Sequence, residues 1–181
     1  MIFVDTKIPG AVLIRPERLE DERGFFARTF CTRELDEHGL DTRVVQSSVS
    51  WNRQRGTLRG MHLQTAPHRE NKLVSCNRGA IYDVIVDLRP ESASYRTWLA
   101  FTLTAESLET LFIPGGCAHG FMTLEDDTLV HYDISEFFAP ESARGVRFDD
   151  PAFGIEWPQA PAVISPRDLA FPPFAEGLDP R

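Results

Sequence analysis

The sequence predicts an all-β fold of the double-sheet jelly-roll type, on three observations. Short β-type apolar runs follow one another at close spacing, turn chemistry separates them, and almost nothing reads as helix. Among β architectures the jelly roll is preferred because it holds a ligand between its sheets. One or two short helices complete it. A chain of 181 residues builds one substantial core and not two comfortable ones, so a single domain spanning 1–181 is expected.

From Phe3 to Pro16, short apolar runs broken by Pro9 and Gly10 predict two edge strands. The charged turn Asp21-Glu22-Arg23-Gly24 leads into a strand-like aromatic run from Phe25 to Phe30. Thr32 is placed to cap a short helix over Arg33 to His38, with Gly39 ending it. Strands are then predicted at Arg43–Gln46, Gly56–Gln64, Lys72–Cys76, Ala80–Leu88, Trp98–Leu103, Glu109–Ile113, His119–Leu124 and Thr128–Ile134, with a last group near Val146. Turns such as Asn77-Arg78-Gly79, Arg89-Pro90 and Pro114-Gly115-Gly116 separate them. From about Trp157 a proline-rich tail, ending with Pro180 near the terminus, is expected to wrap the surface irregularly, with Ser165-Pro166-Arg167-Asp168 reaching the pocket.

Composition narrows the function. Apolar content of 42% with 25% charged residues is that of a globular protein. A net charge of −8 argues against non-specific nucleic-acid binding while leaving room for a local basic pocket that holds a small anion. No apolar run is long enough to span a bilayer and no secretory signal opens the chain, so a cytoplasmic location is expected. Cys31, Cys76 and Cys117 have no metal-type spacing and read as core residues in a reducing compartment.

Polar residues on the apolar parity of strands need explaining. In Gly56–Gln64, strict alternation puts Leu58, Gly60, His62 and Gln64 on one face and Arg59 on the other. Either Gly60 marks a bulge that re-aims one of the pair Arg59 and His62, or Arg59 serves a different part of the site. Asp83 lies between Ile81 and Ile85 on one parity and requires a lysine, arginine or histidine nearby. Lys72 projects from a strand start, His119 follows a glycine turn, and Tyr132 sits between Val130 and Ile134. Singly each has an ordinary structural explanation; together they read as a site inside a barrel.

Two chemistries fit that inventory. In the first, His62, His68, Glu70 and His119 hold a divalent metal; Gln64, standing two residues after His62 where a second histidine is wanted, argues against it. In the second, which needs no metal or other cofactor, an imidazole abstracts a proton beside a carbonyl, a carboxylate fixes its tautomer, Lys72 faces the enolate oxygen and a tyrosine returns the proton on the other face. That set makes an epimerase.

The motifs DERGFF at Asp21, GTLRGMH at Gly56, KLV at Lys72, YDVIVDLR at Tyr82, IPGGCAHGF at Ile113 and PESARGVRFDDP at Pro140 resemble, in order from about Phe3 to Asp168, the dTDP-4-dehydrorhamnose 3,5-epimerase family. The resemblance implies a cupin-type jelly roll (a double-stranded β-helix), metal-independent and homodimeric, acting on a nucleotide-diphosphate sugar with a 4-keto-6-deoxy ring. It implies His62 as base, Asp168 as its partner, Tyr132 as acid and Lys72 beside the keto oxygen. Arg59, His119 and Arg23 resemble substrate contacts, and Gln46, Ser48, Phe138 and Arg167 fall on the same substrate-holding side. The segment with Arg23 and Phe26 is implied to lean into the neighbouring subunit's site. Four positions depart from the family pattern: Arg28 and Ala143 stand for glutamate, Ser48 for asparagine, and Phe138 for the tyrosine that stacks on thymine. The proton-transfer set is complete, so retained chemistry on a different sugar is expected. A 3-epimerase, a 3,4-ketoisomerase and a non-catalytic sugar-nucleotide binder are the alternatives.

Overall fold

A strand with alternating apolar residues has one face to bury, and two sheets of such strands bury theirs against each other here. The computed structural model describes residues 1–41 and 43–174. In chain order the elements are β1 (Ile2–Asp5), β2 (Val12–Arg15), β3 (Arg18–Asp21), β4 (Gly24–Ala27), α1 (Thr32–Glu37), β5 (Gln46–Asn52), β6 (Thr57–Gln64) and β7 (Lys72–Arg78). They continue with β8 (Ala80–Asp87), β9 (Trp98–Thr104), β10 (Thr110–Ile113), β11 (Cys117–Thr123), β12 (Thr128–Ile134), β13 (Ala143–Gly145), β14 (Val163–Ile164) and α2 (Pro166–Leu169). The first sheet has the order β1-β2-β10-β7-β12-β5, and the second β13-β6-β11-β8-β9 with β14 added in parallel to β6. A separate hairpin pairs β3 with β4. This is the jelly roll expected.

Between the sheets lie Leu13, Val74, Leu111, Ile113 and Val130 from the first and Ile81, Ile85, Leu103 and Phe121 from the second. Each such side chain contributes about 1.5–3 kcal/mol by leaving water. The outer faces are covered too. Met61, Leu63, Val84 and Val86 lie under Phe153, Ile155, Trp157 and Phe174 of the tail, while Val12, Ile14 and Phe112 lie under Leu35 and Leu40, from α1 and the turn after it. Among the described residues no helix is long and apolar enough to cross a membrane.

Several local expectations are corrected. Of the two edge strands expected before Pro16, β1 is one; β2 is paired on both sides and buried at Val12, Leu13 and Ile14. Thr32 is the first residue of α1 and not its cap, Cys31 holding the cap position without a side-chain bond. The strand expected at Arg43–Gln46 begins only at Gln46 and runs on to Asn52, a polar stretch whose edge position removes the apolar pattern. The tail is less irregular than its prolines imply: β14 joins the second sheet, and Pro166 sits in the first turn of α2, where its missing N–H costs no hydrogen bond. Its end, from residue 175 and with Pro180, lies outside the described residues.

A buried carboxylate at the end of β8 ties the turn that follows. Asp87, fully buried, accepts from Arg89 Nε at 2.8 Å and from Ser94 Oγ at 2.6 Å. Burial alone would raise its pKa, but the Arg89 guanidinium and the Ser92 and Ser94 hydroxyls outweigh it and bring the value from 3.8 down to about 2. A carboxyl depressed in the folded state stabilises above its unfolded pKa and ceases to as pH falls through the folded one. Asp87→Asn is therefore expected to cost roughly 2 kcal/mol at neutral pH, with the gap closing as pH falls from about 4 towards 2, read by urea melts across that range.

Candidate functional site

The register between β6 and β11 decides whether Arg59 and His62 meet. His119 pairs with His62 and Phe121 with Arg59, so three steps along β6 match two along β11, which is a β-bulge. Residues directly opposite share a face, and His119 and Phe121 share theirs by alternation. Arg59 and His62 are thus brought to the same face, which opens on one cleft, as the bulge alternative required. Gly60, at φ 138°, and Gly120 permit it: a Cβ on Gly60 would stand 2.5 Å from the Gly120 Cα.

The bulge leaves a gap in the ladder on the other side of β6, between β13 at His62 and β14 at Leu58. Asp168 of α2 fills it. Its Oδ2 accepts from the Gly60 N–H at 3.2 Å, and its Oδ1 accepts from His62 Nε2 at 2.7 Å. Ser165 caps α2 by accepting from the Asp168 N–H. Burial pushes the Asp168 carboxyl up, but the His62 hydrogen bond and charge, the Gly60 amide and Ser165 together hold it below the usual carboxylate range. With the carboxylate as acceptor, the neutral form of His62 carries its proton on Nε2 and has its lone pair on Nδ1.

Deeper in, Asp83 is fully buried and its required partner is His119, whose Nε2 donates to Oδ1 at 2.7 Å. Tyr132 lays its ring edge-on to His119, with centroids 6.0 Å apart. Burial, and then the Asp83 charge, push the Tyr132 phenol up against the smaller pull of Arg59, so the hydroxyl stays protonated. Arg59 Nε donates to Asn52 Oδ1 at 2.7 Å, and Asn52 is in turn anchored to the Ser50 and Thr128 carbonyls.

Lys72 is not solvated, the usual fate of a strand-start lysine. It is buried, its Nζ 2.8 Å from Glu70 Oε1 and 3.5 Å from the His62 carbonyl oxygen. An ammonium has three donors, so these two contacts leave one uncommitted. The four side chains weighed as metal ligands do not converge: Glu70 is committed to Lys72, His62 to Asp168 and His119 to Asp83, while His68 lies 3.8 Å from Glu141. Among the described residues no group of three or more His, Cys, Asp or Glu is placed to hold a metal ion.

His62 and Arg167 are shared by two adjoining cavities of about 320 and 200 Å³. The first also takes in Arg59, Ser165 and Asp168, the second Gln46, Glu70, Phe138, Ala143 and Arg144. A chain of net charge −8 thus collects three arginines along one cleft. Ser48 stands opposite Tyr132 on β5, at the exposed rim. Arg23, Phe26 and Arg28 are not brought to this cleft within one chain. Arg23 pairs with Asp21 on the hairpin, Phe26 is exposed there, and Arg28 pairs with Glu34 of α1 at 2.8 Å. Sequence reasoning missed Glu70 as the partner of Lys72, although two residues apart on the approach to a strand is a visible signal. It also missed Asn52 and Arg144, which carry none.

The model of the dTDP-4-dehydrorhamnose 3,5-epimerase family matches residues 5–176. An enzyme of that name from Methanothermobacter thermautotrophicus is 41% identical, over 96% of this chain and 95% of its own. The crystal structure of the Elizabethkingia anophelis enzyme of that name superposes with a TM-score of 0.93 at 35% identity, covering 97% of each chain. The Legionella pneumophila dTDP-6-deoxy-D-glucose-3,5-epimerase, solved in complex with dTDP-4-keto-L-rhamnose, gives 0.87 at 35% identity over 94% of this chain and 90% of its own. With a jelly roll, a carboxylate-backed histidine in its cleft and this similarity along nearly its whole length, the chain belongs to the dTDP-4-dehydrorhamnose 3,5-epimerase family, an isomerase family of sugar-nucleotide epimerases.

Proposed function

We propose that the chain epimerises a dTDP-linked 4-keto-6-deoxyhexose at the carbons flanking the ketone. The observation that carries this reading is the His62–Asp168 pair at 2.7 Å, opening on a cleft lined by arginines. The lone pair on His62 takes the proton beside the carbonyl, and Asp168 stabilises the imidazolium that forms. The free donor of Lys72 faces the enolate oxygen, where such a preorganised group supplies roughly a hundred- to a thousandfold in rate. Tyr132, kept protonated by burial, returns a proton to the opposite face. Arg59 and Arg167 meet the diphosphate, and His119, fixed by Asp83, contacts the sugar. Phe138 offers a π-face to the base without a hydroxyl, next to a second cavity opened by Ala143. A dTDP-keto sugar bound in the Legionella relative supports the substrate class.

Incubation with such a substrate, followed by proton NMR of the product, tests this reading. Inversion at both flanking carbons is the expected result. Inversion at one carbon makes the chain a 3-epimerase and carbonyl migration a ketoisomerase; sugar returned unchanged overturns the proposal.

The functional unit we propose is a homodimer. Hairpin β3–β4 stands apart from both sheets with Leu19 and Phe26 exposed at 67% and 68%, and β5 ends the first sheet with an open seven-residue edge beside the cleft. A partner's hairpin laid there brings Arg23 and Phe26 to the site. Mixing inactive His62→Ala and Arg23→Ala chains after joint refolding is then expected to restore about a quarter of wild-type activity, because half the dimers are mixed and each carries one intact site. No recovery on mixing contradicts the shared site.

A further inference from the structure

Gln64 enters the sequence only as the residue that spoils a metal site, and the proton-transfer set makes no use of it. Yet it is 3% exposed and every end of its carboxamide is engaged. Nε2 donates to the His68 carbonyl at 3.0 Å and to the Phe137 carbonyl at 3.1 Å, and Oε1 accepts from the Ala139 N–H at 2.6 Å. The residue between those two, Phe138, donates its own N–H to Gln46 Oε1 at 2.7 Å. Three consecutive backbone units are therefore held by two glutamines, one from β6 of the second sheet and one from β5 of the first. The loop bridges the two rims of the cleft. At its far end Ala139 is buried and its carbonyl accepts from the Ser142 and Ala143 N–H groups, whereas Phe137 and Phe138 are 61% and 59% exposed, and Phe138 lines a cavity that contains His62.

We infer that Gln64 is a positioning residue for nucleotide binding: its buried carboxamide fixes the 137–139 loop and so sets where the Phe138 ring stands to receive the base. The inference rests on the reading above that a nucleotide occupies the cleft. A phenyl ring contributes to stacking only when held at a defined height and tilt, and an exposed ring on an untied loop spends most of its time elsewhere. Because the carboxamide is buried, no water replaces the three bonds when it is removed. Gln64 borders the cavity, but its carboxamide is committed to backbone groups of the loop and of His68, so its loss acts on binding and much less on the chemical step.

The test is a calorimetric titration of dTDP into wild type, Gln64→Met, Phe138→Ala and the double variant, with KM and kcat alongside. Methionine keeps the volume and removes the bonds. Gln64→Met is expected to raise the Kd for dTDP and the KM about tenfold, with kcat within about threefold of wild type, and the double variant is expected to bind no more weakly than Phe138→Ala alone. Gln64→Glu, which keeps the acceptor for Ala139 but sets a carboxylate against two carbonyl oxygens, is expected to weaken dTDP as well, and it carries the test if the methionine variant does not fold. Variants that bind dTDP like wild type, a fall in kcat at unchanged KM, or additive losses in the double variant would each overturn the role given to Gln64. A wild type that does not bind dTDP would instead remove the nucleotide reading itself.

Discussion

Replacing His62 with alanine is expected to lower kcat by roughly a hundred- to ten-thousandfold, the range that a positioned general base supplies. KM should move little, since the imidazole acts in the transition state and other groups hold the substrate. Asp168→Asn is expected to lose nearly as much. Its oxygen still meets the Gly60 amide, but its NH₂ group faces His62 Nε2, which then turns to acceptor and puts the proton on the nitrogen that must be free. The two losses should not add, because the second removes support from a base already gone. Steady-state kinetics of the two single variants and the double one checks both the magnitude and the non-additivity.

Gly60→Ala is expected to be strongly destabilising. The backbone there, at φ 138°, disfavours any Cβ, and the added carbon meets the Gly120 Cα at 2.5 Å and the His119 carbonyl oxygen at 3.1 Å. Neither neighbour is a flexible side chain that moves aside. A cost of about 3 kcal/mol or more follows from the strained backbone and the clash together. Activity should fall with it, since this bulge is what puts Arg59 and His62 on one face. Gly154→Ala is the control: φ is 62° but no atom lies within 4 Å of the new carbon, so only about 1 kcal/mol is expected. Calorimetric melts of the two variants separate clash from backbone preference.

The strands that were legible in the sequence are those with a buried face: β6 to β8 and β10 to β12 carry alternating or continuous apolar runs that only a packed sheet explains. Edge and hairpin strands were less so. β5 is mostly polar because one edge and much of its surface face solvent, and β3 is exposed at every residue, so neither shows a period. The demand of Asp83 for a lysine, arginine or histidine partner was a local argument, and His119 is that partner. The meeting of Arg59 with His62 was not decidable from the sequence, since a one-residue change of register moves a side chain to the other face. Asn52 became visible only in the fold: it lies just seven residues before Arg59, but on a strand of the other sheet. The charges of Ser165–Asp168 marked that segment as reaching the pocket, but the role of Asp168 as partner of His62 was recognisable only through family resemblance: it lies on a four-residue helix 106 positions beyond His62, in a segment whose prolines read as irregular.

Proton exchange with solvent reports on the central claim, that His62 deprotonates carbon beside the ketone. With a dTDP-linked 4-keto-6-deoxyhexose in deuterated water, NMR should show wild type placing deuterium at one or both carbons flanking the carbonyl, and His62→Ala placing none over the same period. Exchange by His62→Ala at the wild-type rate, or no exchange by wild type with any such substrate, would contradict the account.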